Sequence, residues 1–450
     1  HPDNLRICHS TSLTMSKIIL VLASLACVGL ARRVQPWNSL EGSPEQLKVA
    51  GGNHSLQAKV AGANHSSHSL ADVSTDSIAS MIKVLFKPVT MLLTSLMSFF
   101  GMGPKCDVMV VGCGVPTRGM GWYHAKQMLE GYVPHAKCTT IVEPWFLGGG
   151  AESPPGVAFN GWANEMNKKY GTKFYKAVGD LPPIEDKMLA LVSGRTADNP
   201  RLLKELIDAG VTHVYLEKPG APTVKELEEM REYAKSKGIP VYMGYNKNVA
   251  SYVAQALEFE AKTSGASTTF IHNNAYKEAE LPECFERNAE GMLKNMAIHE
   301  LALLATFYDV TVDNIKTVTP DTEFTNCLTL KGPSGKTFTD FAKAGFTVET
   351  KKGKTVTVKA DRCGHESGNS IAVVSVAGQE KFRVETPDAK LKKYVDKQVQ
   401  EHPDYMPYFF LQDADYITLK ERSTAHILSG AAGAPMGMAT IDIAVEALKV

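Results

Sequence analysis

Downstream of Lys105, short apolar runs alternate with stretches whose apolar residues recur at helical spacing. Asp107-Val-Met-Val-Val111 is an apolar run followed by glycine, as befits a strand buried on both faces. Trp122 to Leu129 reads as a helix and Thr139-Thr-Ile-Val142 as a second strand. Phe159, Trp162, Ala163 and Met166 recur on one face of another helix. Met188-Leu-Ala-Leu-Val192 is a strand, and Asn199 to Gly210 has proline near its start and glycine at its end, the polarity of a helix. His213-Val-Tyr-Leu216 is the next strand; Thr223-Val-Lys-Glu226 is a capping box that opens a helix, and Pro240-Val-Tyr-Met-Gly244 closes the series. Strands alternating with helices predict a doubly wound parallel α/β sheet over residues 105–245.

After 246 the pattern changes. A helix from Val249 to about Lys262 is followed by the apolar stretch Gly291 to Leu304. Alternating strands come next, at Lys354–Lys359, Ser370–Val376 and Lys381–Glu385. This predicts an α+β domain over 246–450 with a large, mainly antiparallel sheet. The aromatics of Asp404–Phe410 suit core or subunit packing better than a sugar pocket. The helix expected near Met436 to Leu448 has the spacing of a packing element.

Residues 1–104 have neither periodicity. Met15-Ser-Lys leads into a charge-free apolar run, Ile18 to Leu30, with small residues at Gly29 and Ala31. The run is short for a bilayer and reads as a secretory signal peptide over 1–31, with residues 1–14 ahead of the natural start; a buried helix is the alternative. Residues 32–104 read as a presequence and linker. They hold a near-repeat, Val49 to Ser55 and Val60 to Ser66, with sequons at Asn53 and Asn64. The second apolar segment, residues 80–103, is interrupted by Pro88 and suits an interfacial anchor, the one route to membrane association. The expected destination is the secretory pathway or the exterior; the alternative is a plastid, since the layout resembles a bipartite plastid presequence.

Formal net charge is zero, so the average composition offers no basic face for nucleic acid. The eight cysteines form no CxxC and stand at no zinc-finger spacing from histidine, which argues against a metal site or a disulfide framework.

The chemistry starts at Gly112-Cys-Gly114, between the first strand and the first helix. There, backbone N–H groups and a helix N-terminus are free to receive a pyrophosphate. The third glycine of a dinucleotide fingerprint should fall at 117, which is Thr117; glycines stand instead at 119 and 121. Val115-Pro-Thr-Arg-Gly119 reads as an insertion, after which Gly121 resumes the helix-facing role, with Arg118 placed near the pyrophosphate. Glu143 ends the second strand, where a carboxylate accepts from the adenine ribose hydroxyls and repels a 2′-phosphate. The expected cofactor is NAD, with NADP possible.

Glu217-Lys-Pro219 at the end of a strand, with Gly291-Met-Leu-Lys-Asn-Met-Ala-Ile-His299 downstream, resembles the glucose–fructose oxidoreductase and inositol dehydrogenase family (Gfo/Idh/MocA). Val241 to Lys247 is similar to that family's crossing into its second domain. The resemblance spans about 107–450 and implies a Rossmann domain followed by a substrate and oligomerisation domain. It also implies hydride transfer between a nicotinamide and a sugar, cyclitol or related polyol, in a homo-oligomer, dimer or tetramer. Asn295 stands where the family has aspartate. By this resemblance Lys218 and His299 are catalytic, with Asn295 in the orienting position; the expected cofactor-binding residues are Gly112, Gly114, Arg118, Gly121 and Glu143 of the fingerprint reading, with Ser193 and Glu217. Independently, alcohol oxidation needs a base for the hydroxyl proton, which His299 suits, and a cation for the developing alkoxide, which Lys218 suits. On one helix, 295 and 299 are a turn apart and able to meet. Glu300 is a candidate substitute carboxylate. The alternative from another class is a dinucleotide-binding, catalytically silent protein in which Asn295 marks lost activity; a third is a membrane-associated module anchored by 80–103.

Overall fold

The structure is a computed structural model that describes residues 103–450. The expectations for the signal peptide, the sequons and nearly all of the second apolar segment lie outside these residues. Among the described residues, no helix is long and apolar enough to cross a membrane.

The first sheet contains β1 (Cys106–Val111), β2 (Ala136–Val142), β3 (Lys173–Tyr175), β4 (Met188–Val192), β5 (His213–Leu216) and β6 (Val241–Met243). All its pairings are parallel and the order is β3-β2-β1-β4-β5-β6. This is the doubly wound Rossmann arrangement, in which ligands bind beyond the strand C-termini where the order reverses at β1. The central strands read as apolar runs because helices cover both faces: Val108, Val110, Leu189 and Leu191 point into one core, Met109, Val111, Ala190 and Val192 into the other. The helix Val224–Ser236 starts as its capping box requires, Thr223 Oγ accepting from the Glu226 amide at 3.2 Å.

The second sheet contains β7 (Ala266–Asn273), β8 (Ile315–Pro320), β9 (Asn326–Lys331), β10 (Thr337–Thr350), β11 (Thr355–Asp361), β12 (Asn369–Val376) and β13 (Gln379–Thr386). Its order is β13-β12-β7-β11-β10-β8, with β9 on β10; only β7 with β11 is a parallel pair. The sheet packs on the helices Ser251–Ala261 and Ile298–Phe307 through Ala256, Phe270, Leu303, Val358 and Val374.

The end of the chain returns to the first sheet. On one face, the helix Asp413–Ser429 puts Tyr416 and Leu419 against Val110 and Leu191. On the other, Ile441, Ala444 and Val445 pack against Leu227, Met230 and Met243. The Met243 amide donates to the Ala439 carbonyl at 2.9 Å. The strand ends of the Rossmann sheet are thereby bordered by residues from both halves of the chain.

Candidate active site

The glycine turn follows β1 directly. Gly112 and Gly114 have φ of +76° and +77°, the left-handed region that glycine enters freely. A Cβ on Gly112 would stand 2.6 Å from Gly194 Cα. The inserted residues fold back on themselves, the amides of Arg118 and Gly119 both donating to the Val115 carbonyl. Gly121 then enters the helix Met120–Leu129 hard against the turn: a Cβ there would lie 2.4 Å from the Gly112 carbonyl oxygen. That helix begins without a side-chain cap and without an acidic residue in its first turn, which leaves its N-terminal dipole open to an anion.

Glu143 is buried at the end of β2. Its Oε2 accepts from the Gly114 amide at 2.9 Å and its Oε1 from the Trp145 amide at 3.1 Å. Glu143 therefore holds the turn in shape as well as presenting negative charge. A cleft of about 550 Å³ lies beside it, lined by Gly112, Gly114, Glu143, Trp145, Ser193 and Arg195 among others. The Ser193 hydroxyl in this wall is buried and has no hydrogen-bond partner. An orphan hydroxyl, a positive-φ cradle and an uncapped helix fit a dinucleotide pyrophosphate.

Two residues expected at the cofactor do not line this cleft. Arg118 is exposed and does not line the cleft, because the tightened insertion faces the segment 402–410: Thr117 carbonyl accepts from the Met406 amide at 3.4 Å. Those aromatics pack as a core, Tyr123 stacking on Phe409 at 4.3 Å and Trp122 meeting Tyr405 edge-on at 5.1 Å. The exception is Tyr408, which lines a second cavity. Glu217 is not at the cleft either. Its Oε1 is 3.0 Å from His124 Nε2 and accepts from the Tyr215 hydroxyl at 3.2 Å.

Behind Glu217 runs a closed polar network. Lys420, fully buried, donates to Gln127 Oε1 at 2.6 Å, to the Tyr416 carbonyl at 2.8 Å and to His124 Nδ1 at 2.9 Å. A lysine ammonium is a donor only, so Nδ1 must accept and Nε2 carries the proton toward Glu217. Burial, with the Lys420 charge, lowers the imidazole pKa to about 4, so the ring is neutral.

Lys218 lies at the end of β5 and donates from Nζ to the Asn295 carbonyl at 3.4 Å. Burial holds its pKa below the ordinary lysine value, against the opposing pull of Glu217 and Glu290. His299 is half-buried, its Nδ1 has no hydrogen-bond partner, and its ring meets Tyr245 edge-on at 6.0 Å. Burial first, then the Lys218 and Lys247 charges, push its pKa well below the ordinary value. The expected continuous helix across 291–304 is broken. One short helix spans Met292–Asn295 and the next Ile298–Phe307, with the amides of Met296 and Ala297 both turned onto the Met292 carbonyl. The premise that 295 and 299 share a helical face therefore fails, and it is the backbone of Asn295 that meets Lys218. Glu300 does not stand in for the missing aspartate. It is fully buried, 2.5 Å from Lys247 Nζ and 3.1 Å from His272 Nδ1. Burial alone would raise its pKa; Lys247 and His272 overcome that and hold it ionised.

Lys247 and His272 lead into the second cavity, about 500 Å³, which Asn246, Tyr252, Asn274 and Asp415 also line. Across the strand ends the order is thus the dinucleotide cleft beyond β1 and β4, Lys218 beyond β5, Tyr245 beyond β6, and the polar cavity from Asn246 onward.

Residues 160–245 match the family model described as the oxidoreductase family, NAD-binding Rossmann fold (Gfo/Idh/MocA). Among solved structures, the chain is similar to a myo-inositol dehydrogenase from Corynebacterium glutamicum at TM-score 0.55 and 15% identity, covering 77% of this chain and 94% of that one. The chain has the Gfo/Idh/MocA fold. It is also similar to the scyllo-inositol dehydrogenase of Lactobacillus casei with bound NAD(H) and scyllo-inositol, at TM-score 0.52 and 13% identity over 77% and 94% of the two chains. GenD2 from gentamicin A biosynthesis, in complex with NAD, gives 0.53 and 15% over 77% and 92%. No curated protein matches by sequence. The Gfo/Idh/MocA match takes in Glu217-Lys218-Pro219 but begins after the glycine turn and Glu143. Sequence reasoning missed Trp145, Tyr252, His272 and Asp415 as wall residues; Lys247 lay inside the quoted crossing stretch without a role.

Proposed function

We propose that this chain is an NAD-dependent oxidoreductase acting on a CH–OH group of a sugar, cyclitol or related polyol. The observation that carries this reading is the order beyond the strand ends, with the glycine-turn cleft after β1 and β4, Lys218 after β5 and a polar cavity from Asn246 onward. NAD, when bound, supplies the hydride acceptor. Gly112, Gly114, the N-terminus of Met120–Leu129 and Ser193 would hold it, with Glu143 toward the adenine ribose. His299 enters the reaction as a neutral ring and so can accept a hydroxyl proton. Lys218, with one donor on the Asn295 carbonyl, has others to offer a developing alkoxide. Lys247 and His272, fixed by Glu300, supply donors at the cavity wall.

A second reading, a cofactor-binding but silent protein, is favoured by Asn295 and by the helix break that separates it from His299. NADH fluorescence titration combined with a polyol panel, reading NADH formation over a wide pH range, separates the two. Turnover that disappears in His299→Ala supports the enzyme. Tight NADH binding with no turnover of any polyol supports the silent reading.

A further inference from the structure

Two carboxyl groups line the polar cavity, Glu280 and Asp415, and Glu300 is buried behind its wall. Glu300 is matched to Lys247 and His272. Glu280 lies exposed at the rim and accepts from the Lys277 amide at 2.8 Å. Asp415 is different. It sits in the first turn of the helix Asp413–Ser429, in the wall shared with Asn246, Lys247, Tyr252 and Tyr408. We propose that Asp415 is a substrate-binding, specificity-determining residue, whose carboxyl group takes adjacent hydroxyls of a neutral polyhydroxylated ring in this cavity. The inference rests on the polyol reading above and adds the group that selects among polyols.

Three features support it. A carboxyl group offers two oxygens in one plane and can take two neighbouring hydroxyls together. The Tyr252 hydroxyl in the same wall is buried with no hydrogen-bond partner, a donor and acceptor that a bound hydroxyl would satisfy. The remaining wall offers amides and hydroxyls, Asn246, Asn273, Asn274 and Ser370, and its one ammonium is already neutralised by Glu300. An anionic ligand has no unmatched cation there, whereas a neutral polyol does not need one. At about 500 Å³ the cavity lies in the range of small-molecule sites.

The state of Asp415 adds a signature. Burial raises its pKa to about 7, against a hydrogen bond from Asn246 and the Lys247 charge. The other titratable groups around it are Tyr252, Tyr408, Tyr416, Glu217, Glu300 and His272; burial pushes all three phenols above the ordinary tyrosine value, and burial lowers the His272 pKa and keeps the ring neutral. On the cavity wall Asp415 thus changes near neutral pH from donor-plus-acceptor to acceptor; Lys420, on the same helix, is also lowered to about 7 by burial but does not line the cavity.

The test uses the full chain loaded with NADH. Calorimetric titration with myo-inositol, scyllo-inositol, glucose and their monodeoxy analogues is run on wild type and Asp415→Asn, with the NADH dissociation constant measured by fluorescence. We expect Asp415→Asn to weaken the best polyol by about tenfold and to abolish a pH dependence of affinity centred near 7, while NADH binding stays within about twofold. Monodeoxy analogues that lack a hydroxyl at Asp415 should lose affinity for wild type but little for the variant. An unchanged polyol affinity in Asp415→Asn, an equal loss of NADH affinity, or no polyol bound by wild type overturns the proposal. Turnover with an unchanged KM in the variant refutes this inference alone. Asp415-dependent binding without NADH formation refutes the oxidoreductase reading and leaves this one standing.

Discussion

Gly121 carries the sharpest test of how the cofactor turn is built. A Cβ placed there stands 2.4 Å from the Gly112 carbonyl oxygen and 2.9 Å from Cys113 Cα. A carbon and a carbonyl oxygen rest at about 3.3 Å, so Gly121→Ala must push the turn and the helix apart by about 0.9 Å. No flexible side chain can yield, since every atom met is backbone. The expected loss of stability is about 1–3 kcal/mol, the usual cost of overpacking. Binding should suffer separately. The displaced atoms belong to Gly112 and Cys113, and a single charge-assisted bond lost to the pyrophosphate is worth about 1.5–3 kcal/mol. The NADH dissociation constant should therefore rise by at least about tenfold, read by fluorescence titration on variant that still melts cooperatively. Gly161→Ala is the control. Gly161 lies in the helix Pro154–Tyr170, a Cβ there meets nothing within 4 Å, and the substitution should leave NADH binding unchanged while stabilising by up to about 1 kcal/mol. A Gly121→Ala protein that binds NADH within about twofold of wild type would show that this glycine is not the displaced third glycine of the fingerprint.

Three further outcomes are expected. Arg118→Ala should leave the NADH dissociation constant within about twofold, because the side chain is exposed outside the cleft; a tenfold loss would put the insertion back at the pyrophosphate. Lys218→Met should raise the His299 pKa, followed by NMR of the imidazole protons, since Lys218 is the foremost charge depressing it; an unmoved titration would separate the two groups. Stability should fall on acidification. His124, His213, His272 and His299 are all held below the ordinary imidazole value, first by burial, so the unfolded chain binds more protons than the native one. For His124 the contribution is complete above about 6.5 and lost as pH falls through about 4, a swing of about 3 kcal/mol at 1.36 kcal/mol per unit. Asp415, raised to about 7, works the other way, losing its contribution as pH rises from about 4 to 7. Urea unfolding at pH 7.5 and 4.5 in an Asp415→Asn background, which removes the opposing contribution, isolates the histidines, and equal stability at both would refute the burial of neutral histidines.

The Rossmann strands were legible because both their faces are buried, which leaves continuous apolar runs such as Met188 to Val192. β3 was not, being three half-exposed residues at the sheet edge. In the second domain, β8 and β9 are mostly exposed and carry little alternation of apolar residues to read. The apolar spacing of Met292, Met296 and Leu301 suits one helix and is silent about the turn at Met296-Ala297, which backbone bonding decides. Glu217, Lys218 and His299 stood out because they resembled a known pattern; where the Glu217 carboxylate points did not, since His124 and Lys420 lie 93 residues or more away in sequence. Asp415 had no local signal at all. Its meaning comes from the C-terminal segment returning across the strand ends, a long-range contact that no window of sequence contains.

The redistribution of charge explains how a site with asparagine at 295 can still ionise a hydroxyl under the proposed reading. A carboxylate beside His299 would strengthen the ring as a base by stabilising the imidazolium. Here the nearest carboxylate, Glu300, is committed to Lys247 and His272, and the charges that reach His299 most strongly are those of Lys218 and Lys247. Both cations weaken the imidazole as a base. The same cations stabilise an alkoxide, and in a buried site they do so more strongly than in water. What the ring loses in proton affinity, the hydroxyl gains in acidity, so proton transfer between them stays feasible with a neutral residue at 295. The balance fails if either lysine is neutral while the hydroxyl is bound. Burial depresses the pKa of both, so activity should depend on the Lys247–Glu300 pair as much as on Lys218 itself.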